Sequence, residues 1–331
     1  MHPVIDIVVP TYNRGDLILE TIESLLASRR SDIAIWIVDQ SADGRTRDAI
    51  QSLMGDHRLH YTHSLRKGSN FARNLGASLG NAPIVAYTDD DCIVAPEWID
   101  ETILAFEQTD IDAVFGRVID QSIGLPGEAV TDGIKIAVKD EPQRKLFHGN
   151  RFKLDFGHGA NMAFRRSVLE SIAGFDPLLG NGGPLRSWPE KDIGYRILAQ
   201  NGVILYEPNA VVHHKQWRSW SGVKHTQKNY GFGAGAIAAR YLKNGDMGGL
   251  YLLVEWILDQ GVRQVISGLF KWRSWQKITA GLIQIFYPIP GFLAGLKHPP
   301  RSESIPHLFS AKDHQNTTHP TPVNNFTRQL N

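Results

Sequence analysis

Short apolar runs alternate with amphipathic segments along the first 90 residues of the chain. The runs hold consecutive β-branched residues bounded by Pro, Asp or Gly, which is typical of buried strands. The amphipathic segments carry apolar residues at helical spacing. The pattern indicates an α/β fold with a mostly parallel sheet flanked by helices. We predict strands at 4–10, 33–39, 58–64 and 83–89 and helices at 16–28, 44–55 and 70–80.

The alternation is less regular after residue 96. We predict helices at 97–108 and 191–202 and strands at 112–120 and 203–214, with a long loop at 121–150. Local polar patterns add detail at the helix starts. Asp16 is a candidate N-cap. Ser187 and Glu190 fit an S-x-x-E capping box, and the spacing of Asp192 and Arg196 predicts an ion pair on one helix face.

Polar residues collect where the predicted strands end. Thr11 to Arg14 follow the first strand, Asp39 ends the second, and Asp89 to Asp91 end the fourth. Ligands of parallel sheets bind beyond the carboxyl ends of the strands, so we expect a site at this edge. Two carboxylates one residue apart can hold a divalent cation, and hard oxygen ligands suit Mg²⁺ or Mn²⁺. A solvated acidic turn or a calcium loop would have a similar sequence.

The composition changes after about residue 225. Segments 249–270 and 278–296 are strongly apolar, but charged residues interrupt the first and two prolines interrupt the second, so neither is a clean membrane span. Trp and basic residues between the segments suit a membrane interface, although a helical pair packed on the rest of the chain would look similar. The interrupting and interfacial residues are Glu255, Trp256, Asp259, Arg263, Lys271, Trp272, Arg273, Trp275, Pro288 and Pro290.

We therefore divide the chain into three parts. Residues 1–225 form the α/β domain, residues 226–297 form a C-terminal helical appendage, and residues 298–331 form a disordered tail, since they are polar and rich in proline. The sequence of the appendage predicts peripheral membrane contact through residues 249–296.

Charge and cysteine content narrow the range of functions. The formal net charge of the 331 residues is +1, so no nucleic-acid partner is expected. Cys92 is the single cysteine, which excludes an intrachain disulfide and fits a reducing compartment. The N-terminus has no basic stretch followed by a long apolar one, so no signal peptide is expected. We therefore expect a cytoplasmic protein, at the cytoplasmic face of the membrane if the appendage binds it.

Several segments, in this order, resemble the motifs of the family 2 glycosyltransferases, which have the GT-A fold. The segment around Asp89 and Asp91 matches the D-x-D motif of that family, and Ala173 stands where a glycine is common. The resemblance covers roughly residues 1–215. The similar segments are VVPTYNR, VDQSADG, GSNFARNLGAS, YTDDDCIV, HGANMAFRRSVLESIAGFDPLLG, PEKDIGYRI and EPNAVVHH.

The resemblance also implies a set of site residues. The donor would be a nucleotide-diphosphate sugar, bound by Pro10, Thr11, Asn13, Arg14, Asp39, Arg73, Asp89 and Asp90. The metal, Mn²⁺ or Mg²⁺, would be held by Asp89, Asp91 and His214. His158, Asn161 and Trp188 would border the acceptor, a saccharide or a lipid-linked sugar.

The position of the catalytic base departs from the pattern of the family. The family usually shows Glu-Asp before a variable residue, and that Asp is the base. Counting back from Arg196 puts Asp192 at the second acidic position, Glu190 at the base position and Pro189 where the usual Glu would be. We predict that Glu190 is the base, with Asp192 contributing mainly to acceptor binding.

The resemblance implies a metal-dependent, inverting glycosyltransferase for surface polysaccharide or glycoconjugate synthesis. The acceptor group would be a hydroxyl. Two alternatives stay open. A degenerate GT-A fold could serve as a binding module, because the base position departs from the family. A phosphohydrolase with an Asp nucleophile also carries D-x-D before an apolar residue, but on its first strand, whereas here the motif ends the fourth.

Overall fold

The computed structural model describes residues 2–107, 110–121, 134–216 and 218–300. Residues 122–133 of the predicted loop and 301–331 of the predicted tail lie outside the described residues.

The first half of the chain forms the parallel part of one sheet. Four strands lie in the order β3-β2-β1-β4, and each neighbouring pair is parallel. All four predicted strands are confirmed. The strands are β1 (Ile5–Thr11), β2 (Ile33–Asp39), β3 (Leu59–His63) and β4 (Ile84–Thr88).

Three helices connect these strands, as predicted, although two of the predicted details are wrong. The connecting helices are α1 (Leu17–Leu26), α2 (Arg45–Ala49) and α3 (Ser69–Leu79). Asp16 stands at the N-cap of α1, but its side chain makes no capping hydrogen bond, because its own backbone is already helical. The helix predicted at 44–55 ends at Ala49, since Ile50 leaves the helical region and only a 3₁₀ turn follows.

The second half of the chain extends the same sheet with antiparallel strands. The order continues β8-β6-β9-β5, and β7 pairs with β9. β8 is antiparallel to both β4 and β6, whereas β6 and β9 are parallel. The elements are β5 (Cys92–Val94), α4 (Trp98–Ala105), β6 (Ala113–Gln121), β7 (Lys145–Phe147), β8 (Asn161–Arg165), α5 (Arg166–Ser171), α6 (Pro189–Ala199) and β9 (Ile204–Lys215).

Each face of the sheet has its own apolar core, because successive residues of a strand point to opposite sides. Ile5, Ile7 and Val9 of β1 share one core with α1 and α4. Val8 belongs to the other core, with side chains of α3, α5 and α6. Helices thus cover both faces, which confirms the predicted α/β architecture and leaves the strand ends as the open edge.

Helix α6 begins differently from the prediction. The capping box of Ser187 and Glu190 is not formed, because Trp188 occupies the N-cap position in the left-handed region, with φ of 71°, and Pro189 opens the helix. The predicted pair of Asp192 and Arg196 is present, with 2.7 Å between Asp192 Oδ2 and Arg196 Nη2, and it is buried.

Helices of the C-terminal part pack against the α/β domain. Helix α7 crosses residue 225, so the predicted domain boundary falls inside a helix. Glycines allow a close approach of α7 to α11, since a Cβ at Gly235 would collide with the carbonyl of Pro288 and one at Gly291 with that of Phe232. The elements are α7 (Trp220–Lys243), α8 (Gly248–Trp256), a π-helix (Ile257–Val262), α9 (Arg263–Phe270), α10 (Trp275–Phe286) and α11 (Pro288–Lys297).

The outer face of α8 to α11 is apolar and exposed. Of the 21 large apolar side chains that are exposed in the described ranges, 16 lie between Met247 and Leu296. They include Phe270 at 79% and Trp275 at 75% exposure. The segment Trp275–Lys297 is long and apolar enough to cross a membrane, and 33% of its most apolar stretch of 18 residues is buried. We call the exposed surface of α8 to α11 the outer face.

Candidate active site

Cations compensate the three adjacent carboxylates between β4 and β5. Arg73 Nη2 lies 3.1 Å from Asp89 Oδ1. Arg14 bridges the other two, with Nε 3.2 Å from Asp90 Oδ1 and Nη2 3.7 Å from Asp91 Oδ2. His214 Nε2 lies 3.4 Å from Asp91 Oδ1. The predicted donor and metal residues therefore meet at one point of the sheet edge.

Burial shapes the ionisation of this cluster. Burial raises the pKa of Asp90 to about 7, against the opposing charge of Arg14 and with the help of Asp91. Burial alone would lower the pKa of His214, but the hydrogen bond and charge of Asp91, with the charge of Asp89, outweigh it and raise the pKa. Partial protonation of Asp90 thus limits the net negative charge of the cluster near neutral pH.

The register of the sheet brings His214 to the D-x-D segment. Cys92 of β5 pairs with His214 of β9. Ligand atoms of Asp91, Cys92 and His214 lie within 4.8 Å of one another. Burial raises the pKa of the Cys92 thiol well above its usual range, and the charges of Asp91 and Asp89 raise it further. This shift disfavours the thiolate that metal binding requires. Carboxylate oxygen and imidazole nitrogen are therefore the favoured donor atoms of this group.

A cavity of about 590 Å³ opens beside these carboxylates. We call it the donor cavity. Its volume is typical of sites for small molecules, which span about 300–1,000 Å³. Its lining contains most of the predicted donor and metal residues: Pro10, Thr11, Asn13, Arg14, Arg73, Asp89, Asp90 and Asp91.

The turn after β1 holds its donor-cavity residues in a defined conformation. Asn13 has a φ of 54°, in the left-handed region that Asn tolerates better than most residues. Its backbone N–H donates to Ser41 Oγ at 2.8 Å, so the loop after β2 supports the loop after β1.

Sequence reasoning missed half of the donor-cavity lining. Two of the missed residues, Lys67 and Arg218, add cations, and Asn181 comes from a loop that contacts the start of α3 through the bond from Ser69 N to Asn181 O at 2.8 Å. The glycines near Asn181 were the available signal. The missed residues are Tyr12, Gln40, Lys67, Gly68, Ser69, Asn181, Gly182 and Arg218.

The N-terminus of α3 faces the donor cavity with unsatisfied polar atoms. Ser69 Oγ and Arg73 Nε are buried, and no protein group in the described residues accepts or donates a hydrogen bond to either atom. Gly68 precedes them with φ of 123°, a conformation that favours glycine. A helix N-terminus with a hydroxyl and a guanidinium is suited to bind an anion such as a phosphate group.

Asp39 lies at the end of β2 but does not line the donor cavity. Its Oδ1 accepts a bond from Ser41 N at 2.8 Å, and its Oδ2 accepts one from Tyr61 Oη at 2.8 Å. The neighbouring Gln40 lines the donor cavity instead. A role of Asp39 toward the nucleotide stays a prediction.

Glu190 and Asp192 lie in different environments although they share the first turn of α6. Glu190 Oε2 and Arg73 Nη2 lie 3.7 and 3.5 Å from the position of a Cβ at Gly159, so the Glu190 carboxylate is near the donor cavity. Asp192 is 1% exposed and accepts bonds from Arg196 and from Tyr241 Oη at 2.9 Å. The structure therefore brings Glu190, but not Asp192, to the other predicted site residues.

The three predicted acceptor residues lie outside the donor-cavity lining. His158 Nε2 is 3.2 Å from Val138 O, and burial lowers the pKa of His158 to about 3, helped by the charge of Lys191. Asn161 accepts a bond from Trp98 Nε1 and donates to backbone carbonyls of two neighbouring segments. Trp188 donates to Tyr230 O at 3.2 Å. An acceptor role for each of them stays a prediction.

Known proteins similar to this chain are glycosyltransferases. The chain is 28% identical over 220 residues to the glucosyl-dolichyl phosphate glucuronosyltransferase of Haloferax volcanii, covering 64% of this chain and 69% of that protein. It is 28% identical over 178 residues to an uncharacterized glycosyltransferase of Nostoc sp., of which it spans about half, 54%.

Solved structures support the fold. The chain matches the mannosyltransferase PcManGT from Pyrobaculum calidifontis, solved in complex with GDP-Man and Mn²⁺, with a TM-score of 0.58. The identity is 18%, over 90% of this chain and 88% of the other. Residues 6–173, about half of the chain, match the model of Glycosyl transferase family 2. The chain therefore belongs to glycosyl transferase family 2 and is a glycosyltransferase with the GT-A fold.

Proposed function

We propose that this glycosyltransferase moves a sugar from a nucleotide-diphosphate sugar to an acceptor hydroxyl, with a divalent cation and with inversion at the anomeric carbon. The composition of the donor cavity carries the proposal. Arginine and lysine side chains suit the diphosphate, and the carboxylates of Asp89 and Asp91 suit the cation. The cations that line the cavity are Arg14, Lys67, Arg73 and Arg218.

The donor atoms at the D-x-D segment fit a divalent metal ion. Asp91 and His214 would hold it, with Asp89 as the second carboxylate. A site that combines carboxylate oxygen with imidazole nitrogen favours a transition metal such as Mn²⁺ over Mg²⁺, which prefers oxygen ligands. When bound, the ion supplies positive charge that stabilises the departing diphosphate. The Mn²⁺ in the mannosyltransferase of Pyrobaculum calidifontis supports this choice.

The protein side chains divide the remaining tasks. Arg73 and the N-terminal turn of α3 bind the diphosphate, because Arg73 Nε and Ser69 Oγ offer hydrogen bonds that no protein group uses in the described residues. Tyr12 is 45% exposed at the rim, with Lys67 Nζ 4.9 Å from its ring centre. Its ring can stack on the nucleobase, and Asp39 and Gln40 lie on the same side of the sheet edge.

The reaction is a direct displacement. The acceptor oxygen bonds to the anomeric carbon while the bond from that carbon to the diphosphate oxygen breaks. The diphosphate leaves with the electron pair, and Glu190 takes the proton of the acceptor hydroxyl. Attack from the face opposite to the leaving group inverts the anomeric carbon. Glu190 is suited to this role because its carboxylate lies near Arg73, which would bind the leaving group.

A thermal-shift panel of nucleoside diphosphates with and without Mn²⁺ tests the proposal. One diphosphate should raise the melting temperature strongly when Mn²⁺ is present, because ligand at a hundred times its Kd stabilises the folded state by about 2.7 kcal/mol. The same Mn²⁺ should support slow hydrolysis of the corresponding sugar nucleotide. Binding without hydrolysis or transfer would favour a binding module, and nucleotide binding independent of Mn²⁺ would contradict the metal role.

The side chains of the outer face also suggest contact with a membrane. Tyr251, Phe270, Trp272 and Trp275 are each more than half exposed. Basic residues flank them, and Lys277 Nζ lies 4.1 Å from the ring centre of Trp272. Aromatic rings beside cations are typical of helices that lie in the interface of anionic membranes. We therefore propose that the C-terminal helical part, from residue 226 of the predicted division, is a peripheral membrane anchor.

A membrane anchor fits an acceptor that is itself held in the membrane. The relative from Haloferax volcanii carries a lipid-linked sugar, glucosyl-dolichyl phosphate, in its name. We propose that the chain glycosylates a lipid-linked saccharide during glycoconjugate or surface polysaccharide synthesis, at the cytoplasmic face of the membrane.

A further inference from the structure

A second cavity, of about 300 Å³, lies where the C-terminal helices meet the α/β domain. One wall is formed by α8 and the π-helix, and the other by residues near 152–155 and the start of α6. We call it the appendage groove. Its apolar surface comes from Phe152, Trp188 and Trp256, and the rings of Trp188 and Trp256 meet edge to face at 4.9 Å.

The polar surface of the appendage groove is rich in hydrogen-bond acceptors. Asp155, Glu255 and Asp259 contribute carboxylates, against the ammonium groups of Lys153 and Lys191. In the part of the chain that the structure describes, no hydrogen bond or ion pair engages the carboxylates of Asp155 and Glu255. Burial raises the pKa of Glu255, and the charges of Asp259 and Asp155 raise it further.

Lys191 is not available to an incoming anion. Its Nζ donates to the carbonyls of Leu154 and Gly157. Burial lowers its pKa, although the charges of Glu190 and Asp155 oppose that effect. The appendage groove therefore presents mainly negative charge and aromatic rings.

The appendage groove lies next to the proposed base. Trp188 and Lys191, on either side of Glu190 in the sequence, line the groove. The carboxylate of Glu190 itself lies near Gly159 and Arg73, toward the donor cavity. The groove and the proposed base therefore share the first turn of α6.

Two irregular backbone features occur in the walls of the appendage groove. Trp188 has φ of 71°, a conformation that is strained for an aromatic residue. The wall opposite contains the π-helix Ile257–Val262, a rare structure that is frequent at functional sites. Both irregular features include residues that line the groove, namely Trp188 in the first and Asp259 and Gln260 in the second.

We infer that the appendage groove binds a neutral sugar unit of the acceptor and presents its hydroxyl to Glu190. The inference rests on the proposed function and names the acceptor class for that reaction. The apolar face of a sugar ring packs well on an indole, and sugar hydroxyls donate hydrogen bonds to carboxylates. The carboxylates of Asp155 and Glu255 disfavour an acceptor unit that is itself anionic. Asp259 contributes less, because it pairs with Arg263 Nε at 3.1 Å.

The inference also concerns specificity. Leu252, Glu255 and Trp256 lie outside residues 6–173, the part that matches the family model. The C-terminal helices of this chain, rather than the shared catalytic fold, would therefore select the sugar that is glycosylated.

The test compares acceptor use with donor use in the full-length protein. The double variant Asp155→Asn with Glu255→Gln removes two charges and no hydrogen bond or ion pair of the described residues, so it should fold normally. With p-nitrophenyl glycosides of neutral sugars as acceptors, its acceptor KM should rise about tenfold, since hydrogen bonds to charged groups are lost. The donor KM and the Mn²⁺-dependent hydrolysis of the donor should not change.

Controls separate this inference from the proposed function. Glu170→Gln, at an exposed carboxylate of α5, should leave both KM values unchanged. Trp256→Ala should also raise the acceptor KM without changing donor hydrolysis. An unchanged acceptor KM in the double variant, or no transfer to any neutral glycoside while donor hydrolysis persists, would overturn the inference. Better transfer to sugar phosphates than to neutral glycosides would overturn it too. Absence of donor hydrolysis would instead contradict the proposed function.

Discussion

The donor cavity and the outer face expose opposite kinds of side chain to a ligand. The cavity is lined by charged side chains, and the outer face by apolar ones. At the donor cavity, buried and half-buried charges face charges of the other sign, as Asp90 faces Arg14 and Asp89 faces Arg73. On the outer face, large apolar side chains such as Phe270 and Trp275 are exposed to solvent. The first arrangement suits a small charged ligand, and the second suits a surface of low polarity.

The two regions also differ in how closely they follow the family. The donor cavity draws its carboxylates and Arg73 from residues 6–173, which match the family model, whereas the outer face lies wholly outside them. The shared fold would thus supply the catalytic chemistry. The C-terminal helices would determine where in the cell the reaction occurs. The substitutions at Asp91 and on the outer face each change one region and should leave the property of the other unchanged.

The largest effect should come from Asp91→Asn. Asp91 lines the donor cavity, is buried, and contacts Arg14 and His214. Loss of its charge should abolish the Mn²⁺-dependent part of nucleotide binding, because an uncharged carboxamide holds a divalent cation much less strongly than a carboxylate does. Isothermal titration of the nucleotide with and without Mn²⁺ measures this, and liposome binding should be unchanged. Asp43→Asn, at an exposed strand-end loop, is the control. Equal Mn²⁺ dependence in Asp91→Asn and wild type would refute the metal role.

Glu190→Gln should lower transfer by at least about a hundredfold, the scale of a lost general base. Nucleotide binding should persist, because Glu190 does not line the donor cavity. Turnover measured with saturating donor, beside nucleotide affinity, separates the two effects.

Asp192→Asn is the informative contrast to Glu190→Gln. Its pair with Arg196 is buried, so the substitution should lower the free energy of unfolding by about 3 kcal/mol. Urea unfolding measures that loss. If Asp192→Asn were stable but inactive, and Glu190→Gln nearly active, the base would be Asp192.

A smaller effect is expected from Phe270→Glu combined with Trp275→Glu. Affinity for vesicles containing phosphatidylglycerol should fall about tenfold or more, because two exposed apolar side chains no longer enter the interface. Donor hydrolysis in detergent-free buffer should be unchanged. Leu65→Glu and Leu104→Glu change exposed apolar residues of the α/β domain and serve as the matched control. Equal cosedimentation of both double variants would show that the outer face does not bind membranes.

Much of the fold follows from patterns that are local in the sequence. The strand runs near Val8 and Val85 need only neighbouring residues to be recognised, and the position of Asp89 at a strand end follows from the same pattern. The role of Arg73 could be predicted from the sequence because this residue lies in a segment that resembles a family motif. Segments of this kind specify secondary structure through periodicity and order, which do not depend on distant parts of the chain.

Local patterns failed where long-range packing decided the outcome. Ser187 and Glu190 match a capping box, but Trp188 occupies the N-cap instead, with its ring packed in a cluster with α7 and α8. Helix α7 continues past residue 225, the predicted domain boundary, and packs along α11 through glycines such as Gly235.

The sequence by itself determined the alternating elements, the acidic strand end and the apolar C-terminal helices. The tertiary structure decided which side chains meet: Lys67, Asn181 and Arg218 join the donor cavity from separate loops, and His214 reaches Asp91 because β9 pairs with β5. It also separated Glu190 from Asp192, which the sequence places two residues apart. The reason is that periodicity reports the face of an element, whereas convergence of loops depends on the packing of elements that are distant along the chain.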